Sequence, residues 1–217
     1  MTTNSSKSIC VFCGSSSGNQ DSYDEIAYKL GHQLATKNWK LVYGGGSTGL
    51  MGSVARGCAK NGGSVHGIIP EALISRERSD SCEKTTIHNH NGSTPIPDSN
   101  EYGKTTLVKD MHTRKRLMGQ ESDAFVALPG GYGTLEELME VTTWCQLNIH
   151  NKPIVIFNIN GFYDNFLKFI DDAVKNEFVS KSNRDILLVA NTIDEVFEAI
   201  ENYKIPEGRF NLKWEST

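Results

Sequence analysis

Ala124-Phe125-Val126-Ala127-Leu128-Pro129-Gly130-Gly131-Tyr132-Gly133-Thr134-Leu135-Glu136-Glu137 is the stretch that decides the fold. Ala124–Leu128 is apolar without polar alternation, which reads as a strand buried on both faces. Pro129 and the glycines after it break that strand in a turn. From Thr134 to about Leu147 the residues read as a helix. Strand, glycine turn and helix in this order make one unit of a parallel α/β sheet.

Working outward, the same order recurs. Ile9–Cys13 leads into Gly14-Ser15-Ser16-Ser17-Gly18 and a helix from about Ser22 to Asn38, with Ile26, Leu30 and Leu34 four residues apart. Leu41-Val42-Tyr43 runs into Gly44-Gly45-Gly46-Ser47-Thr48-Gly49 and a helix to about Lys60. Ser64–Ile69 is a third strand, stopped by Pro70, and Thr105–Val108 a fourth, followed by a helix from about Asp110 to Ser122. Beyond the opening stretch come a strand at Pro153–Phe157, a helix from about Phe162 to Asn176, a strand at Ile186–Val189 and a helix at Ile193–Glu201. The pattern predicts a single α/β domain, a doubly wound Rossmann-like parallel sheet with helices on both faces. A closed eight-unit barrel would need about 250 residues, more than this chain's 217. Ligands of such sheets sit outside the carboxyl ends of the strands. That places Gly14–Gly18, Gly44–Gly49 and Gly130–Gly133 on one rim.

Residues 1–8 are polar and read as a flexible N-terminus, 9–205 as the domain and 206–217 as a loosely packed tail. Ser79–Gly103, with His88, His90, Pro95 and Pro97, reads as a long exposed loop. His88-x-His90 lacks the acidic or cysteine ligands a metal site needs, so no metal is expected. Net charge is −4 with no long run of one sign, which argues against a nucleic-acid scaffold or a membrane surface. No apolar run approaches the ~20 residues that span a bilayer, and residues 1–8 lack a signal peptide's apolar run. A cytoplasmic location is the expectation, with a nuclear presence compatible with it. The five cysteines are odd in number, which disfavours a disulfide framework. Cys10 and Cys13 lie three apart on a predicted strand and face opposite sides, so they read as buried thiols rather than a redox pair.

Glycine-rich turns that open helices suit anions, because free N–H groups and the helix dipole point at the ligand. None of the three loops is a triphosphate-binding P-loop. Gly44-x-Gly46-x-x-Gly49 matches the dinucleotide fingerprint, but the next strand ends in Pro70 where an acidic ribose ligand belongs, which disfavours NAD. Thr134 lies three residues before Glu137, the spacing of a capping box. Two readings of Glu137 stay open on spacing alone: a carboxylate that caps the helix, or one that faces a ligand. Arg114 and Lys115 stand early in their helix, where cations are unfavourable. Such a local conflict marks either a functional site or a solvated basic face.

Arg114-Lys115 followed by Pro129-Gly130-Gly131-Tyr132-Gly133-Thr134-Leu135-Glu136-Glu137 resembles the LOG ("Lonely guy") family of cytokinin riboside 5′-monophosphate phosphoribohydrolases, whose hallmark is an R-K pair and P-G-G-x-G-T-x-x-E. Members are often mislabelled lysine decarboxylases. Cys13-Gly14-Ser15-Ser16, Gly49-Leu50-Met51-Gly52, Asp110-Met111-His112 and Thr143-Trp144-x-Gln146-Leu147 are also similar to the family. The resemblance spans about residues 9–200. It implies a Rossmann-like homodimer that hydrolyses the N-glycosidic bond of a nucleoside 5′-monophosphate, with no cofactor. It implies Arg114 and Glu137 as the catalytic pair. It implies Glu77, Lys115, Gly131, Tyr132, Gly133, Thr134, Leu135, Glu136 and Thr143 as substrate-binding positions. Gly130, Gly14, Ser15, Gly45 and Gly46 join the binding set as loop residues able to offer N–H donors. The chain departs from short family members in the 79–103 insertion and in Arg116. The competing reading is a non-catalytic nucleotide or molybdenum-cofactor carrier of the same fold.

Overall fold

The structure is a computed structural model that describes residues 6–78 and 96–214. The chain forms two compact units, Met1–Asp123 and Ala124–Thr217.

In the first unit the strands are β1 (Ser8–Phe12), β2 (Lys40–Tyr43), β3 (Val65–Pro70), β4 (Ile96–Ser99) and β5 (Gly103–Val108). Their order is β4-β5-β3-β2-β1. The pairs β1–β2, β2–β3 and β3–β5 are parallel, with Ile9 opposite Leu41, Tyr43 opposite Gly67 and Pro70 opposite Val108. Ile9, Cys10, Leu41, Val42 and Ile68 are at most 1% exposed. Such Val/Ile/Leu-rich strands are those of a sheet covered on both faces. Helices α1 (Asp21–Thr36) and α2 (Gly49–Ala59) pack mainly on each other, helped by Gly31 and Gly57 at their crossing. After β3 a one-turn 3₁₀ segment (Glu71–Leu73) runs into the four-residue helix α3 (Ile74–Glu77). Helix α4 (Met111–Glu121) lies against β1, β2, β3 and β5.

The second unit holds parallel strands β6 (Ala124–Ala127), β7 (Ile154–Phe157) and β8 (Leu187–Ala190), in that order. Its helices are α5 (Tyr132–Gln146), α6 (Asp164–Lys175), α7 (Lys181–Arg184) and α8 (Ile193–Glu201). Every residue of β6 and β7 is buried.

Four details differ from the expectations. The strand β4, antiparallel to β5 through Ile96–Thr105 and Ser99–Gly103, occupies part of the stretch read as loop. The α3 turn and α7 are too short for a helical period to register. At the N-terminus Ser8 is already in β1, the Lys7 carbonyl accepts from Lys40 N–H at 2.7 Å and Ser6 Oγ donates to Asn38 O at 2.8 Å. The first strand thus begins before residue 9. The C-terminal tail is also bound. Phe210 N–H donates to Gln146 O at 2.9 Å, Trp214 Nε1 to Leu147 O at 2.9 Å, and Asn148 Nδ2 to Leu212 O at 3.1 Å. The first two bonds fill carbonyls at the end of α5, groups that every helix C-terminus leaves unsatisfied. Cys10, Cys13, Cys58 and Cys145 are buried, and burial pushes the Cys58 thiol up to about 12. His88, His90 and Cys82 lie outside the described residues.

Candidate active site

In the first unit several predicted residues meet after the carboxyl ends of β1, β2 and β3. Arg114, on the first turn of α4, turns inward and is only 5% exposed. Its Nε donates to Ile68 O at 3.1 Å and its Nη2 to Gly44 O at 3.0 Å. The same Nη2 lies 3.9 Å from Glu77 Oε2. A buried cation needs such partners, since an uncompensated one costs several kcal/mol or neutralises. The N-terminal cost of a cation is offset by the N-cap Asp110. Its carboxylate accepts from Thr113 N–H at 2.7 Å and Thr113 Oγ1 at 2.9 Å, bonds that hold its pKa below the usual range. Lys115, next in sequence, is half-buried.

Glu77 has Oε2 buried without a hydrogen bond. Burial pushes its pKa up, while the Arg114 and Arg76 charges pull it down. Its carbonyl accepts from Ser47 N–H at 2.8 Å and Thr48 Oγ1 at 3.4 Å, so the Gly44–Gly49 loop rests on it. Gly14 and Ser15 join this cluster from the β1 loop. Met51 N–H donates to Gly14 O at 3.3 Å, and a Cβ on Gly49 would stand 2.4 Å from the Ser15 carbonyl carbon. With φ +54, Gly49 also holds a backbone conformation that L side chains rarely adopt. Gly14, Ser15, Gly45, Gly46, Glu77 and Arg114 are therefore linked within the first unit.

The second unit carries the other predicted residues on one strand–loop–helix segment. Gly131 is the N-cap of α5, and no side chain caps it. The capping-box reading is therefore corrected. Thr134 is the third helical residue rather than the N-cap, and Glu137 lies in the second turn. The glycines had masked the true start, because Gly133 sits inside the helix. Gly131, Tyr132, Gly133 and Glu136 are exposed, Tyr132 at 95%. Gly130 and Leu135 are half-buried, while Thr134 and Glu137 are buried at 4% and 8% exposure. Side chains three and four apart share a helix face and lean toward the N-terminus. Glu137 thus lies beneath the turn formed by Gly133 and Thr134. A Cβ on Gly131 or Gly133 would meet no atom within 4 Å. Thr143, two turns on, is exposed and its Oγ1 donates to Met139 O at 2.8 Å. This first turn carries no acidic residue and no side-chain cap, an arrangement that suits an anion.

Sequence reasoning missed three residues around the first cluster. Arg78 donates through Nη1 to Gly45 O at 3.0 Å and to Thr105 Oγ1 at 3.1 Å. Arg56 reaches Ser47 O at 3.5 Å and Tyr102 Oη at 3.2 Å. Tyr102 lies between the two arginines. The only signal was the Gly44-x-Gly46-x-x-Gly49 match, which points at the loop and not at what holds it. No group of three or more His, Cys, Asp or Glu residues among those described is arranged to hold a metal ion.

The two units define a Rossmann-like α/β protein. The structure is similar to the molybdenum cofactor carrier protein of Chlamydomonas reinhardtii, with a TM-score of 0.62 at 20% identity, covering 91% of this chain and 97% of that one. The molybdenum cofactor binding protein of Rippkaea orientalis is similar at a TM-score of 0.60 and 20% identity, covering 91% and 96%. At that identity the likeness is one of fold. The family described as "Possible lysine decarboxylase" matches residues 51–200. The chain is 46% identical over 209 residues to cytokinin riboside 5′-monophosphate phosphoribohydrolase LOG3 of Arabidopsis thaliana, covering 95% of this chain and 88% of the relative. It is 45% identical over 209 residues to the probable phosphoribohydrolase of the same description, LOGL6, of Oryza sativa subsp. japonica, covering 95% and 76%. The chain belongs to the LOG family.

Proposed function

We propose that this protein hydrolyses the N-glycosidic bond of a nucleoside 5′-monophosphate, a cytokinin riboside monophosphate or an AMP-like nucleotide, to free base and ribose 5-phosphate. The observation that carries the reading is Glu137, a buried carboxylate one turn inside a helix whose glycine-rich start is uncapped and open. Relatives 45% and 46% identical to this chain are phosphoribohydrolases by name.

In the reaction the C1′–N bond of the nucleotide breaks and a C1′–O bond to water forms. The departing base keeps the bonding pair and takes up a proton, and the sugar passes through an oxocarbenium-like state. Glu137 stabilises that positive charge and accepts a proton from the attacking water. The N–H groups at Gly131–Thr134 bind the 5′-phosphate, with Gly130, Leu135 and Glu136 shaping the loop. Binding energy at the phosphate, remote from the broken bond, aligns the sugar. Arg114 supplies a fixed positive charge beside Glu77, and Lys115, Thr143 and the Gly14, Ser15, Gly45 and Gly46 loops complete the binding set. The working form is a cytoplasmic homodimer. No helix among the described residues is long and apolar enough to cross a membrane.

Likeness to molybdenum cofactor carriers rests on fold and does not favour a carrier. Decarboxylation of lysine through a pyridoxal Schiff base needs a lysine held in a desolvated pocket, and no lysine among the described residues is buried. The test is chromatography of free base after incubation with isopentenyladenosine monophosphate and AMP, each beside its unphosphorylated nucleoside. Release is expected from a monophosphate and at least about a hundredfold slower from its nucleoside, in line with remote binding energy appearing in the rate. Equal rates for the two would refute the phosphate's role, and no release from any monophosphate would refute the hydrolase.

A further inference from the structure

The loop after β2 is held by three guanidinium groups from three separate elements. Arg114 of α4 binds Gly44 O at 3.0 Å, Arg78 just past α3 binds Gly45 O at 3.0 Å, and Arg56 of α2 reaches Ser47 O at 3.5 Å. Arg78 and Arg56 also approach one ring. Their Cζ atoms lie 5.4 Å and 5.9 Å from the centroid of Tyr102, which is 6% exposed. Arg56 is further tied to Ser53 Oγ at 2.9 Å, and that hydroxyl donates to Asp24.

The consequence falls on Glu77. Helix α3 has four residues, too few to stand alone, since helix nucleation is unfavourable. Its last residue must therefore be fixed from outside. Its carbonyl takes the Ser47 N–H and Thr48 hydroxyl, and the next residue, Arg78, closes the turn with its own N–H on Ile74 O at 3.0 Å while its side chain reaches back to Gly45. Thr105 Oγ1, on a residue with no exposed surface, takes a second bond from the same Nη1. Backbone and side chain of the Glu77–Arg78 pair thus grip the same loop from both ends.

We propose that Arg78 is a positioning residue that sets the Glu77 carboxylate beside Arg114 for substrate binding. A lysine cannot replace it fully. An ammonium could make both of the bonds that leave Nη1, but it lacks the planar guanidinium that lies over the Tyr102 ring. This inference rests on the hydrolase reading above.

The test is steady-state hydrolysis of the monophosphate that the unmodified protein cleaves, with Arg78→Met, Arg78→Lys, Glu77→Gln and the Arg78→Met/Glu77→Gln double variant. Arg78→Met should raise KM about tenfold or more, the loss expected when a charged hydrogen bond is removed, and leave kcat within about threefold. Arg78→Lys should fall between it and the unmodified protein. In the Glu77→Gln background, Arg78→Met should change KM by less than about twofold, because residues acting through one contact are not additive. An unchanged KM in Arg78→Met, or full additivity with Glu77→Gln, overturns the inference while the hydrolase stands. An unmodified protein that cleaves no monophosphate overturns both.

Discussion

Two glycine loops of this chain use the same residue for opposite ends. In the Gly44–Gly49 loop the glycines are demanded by neighbours. A Cβ on Gly44 would lie 2.1 Å from Arg114 Nη2, and one on Gly49 would lie 2.4 Å from the Ser15 main chain. In the Gly130–Gly133 loop a Cβ on Gly131 or Gly133 would touch nothing. Gly133 even sits inside a helix, where glycine costs up to about 1 kcal/mol relative to alanine. A glycine at that cost with no neighbour to require it fits the close approach of the substrate phosphate proposed above. The first loop is shaped by contacts within the chain, and the second is open where the proposed phosphate would bind.

The sharpest way to break this comparison is to add a methyl group to each loop. Gly49→Ala should destabilise by about 3 kcal/mol, from overpacking plus a left-handed backbone that alanine resists. Gly133→Ala should do the reverse in urea unfolding, gaining up to about 1 kcal/mol, yet lower kcat/KM about tenfold, the cost of roughly one lost phosphate hydrogen bond. A destabilised Gly133→Ala, or one with full activity, would put the two loops in one class.

A second contrast lies in the histidines. His66 on β3 meets Glu121 through Nδ1 at 2.7 Å and Thr106 Oγ1 through Nε2 at 2.8 Å. Burial raises the Glu121 pKa, but hydrogen bonds from Lys40 and His66 outweigh that and hold it below the usual range. His150 in the second unit is bonded to main-chain groups instead. Its Nε2–H donates to Val141 O at 2.9 Å, Nδ1 accepts from Lys152 N–H at 3.1 Å, and burial pushes its pKa down to about 4. With a folded pKa below the unfolded value of about 6.5, the unfolded chain binds the proton first. Stability is then complete above pH ~6.5 and falls as pH drops toward 4, by up to about 1.4 kcal/mol per pH unit. Urea midpoints measured from pH 7 to pH 4.5 should show that slope, and His150→Gln should flatten it. An unchanged slope in the variant would remove His150 from the account.

What the sequence made legible follows from periodicity and length. Ile9–Cys13, Leu41–Tyr43 and Ala124–Leu128 announced themselves because buried parallel strands carry unbroken apolar runs. Ile96–Ser99 did not, because its proline and polar residues read as a loop and its partner β5 lies across the Gly103 turn. The tail from Pro206 looked loose because its hold on α5 comes from main-chain groups and one indole N–H, which leave no pattern in composition. The site divided in the same way. Arg114 and Glu137 stood out only through the resemblance of their motifs to the LOG family. Arg78 did not, because its partners, Gly45 O and Thr105 Oγ1, are 33 and 27 residues away in the chain. The capping box failed for a local reason: the helix begins at Tyr132 and takes in Gly133, a residue that propensity would exclude from it.

The central claim is that Glu137 is a reacting carboxylate rather than a helix cap. It is tested by the initial rate of base release from a cytokinin riboside monophosphate by Glu137→Gln against the unmodified protein, with urea midpoints of both in hand. Glutamine keeps the volume and the hydrogen-bonding reach but not the charge. The account predicts a fall in kcat of about a thousandfold, within the range for loss of a catalytic acid–base group, at unchanged stability. A variant that keeps its rate while losing stability would make Glu137 a structural residue and contradict the account.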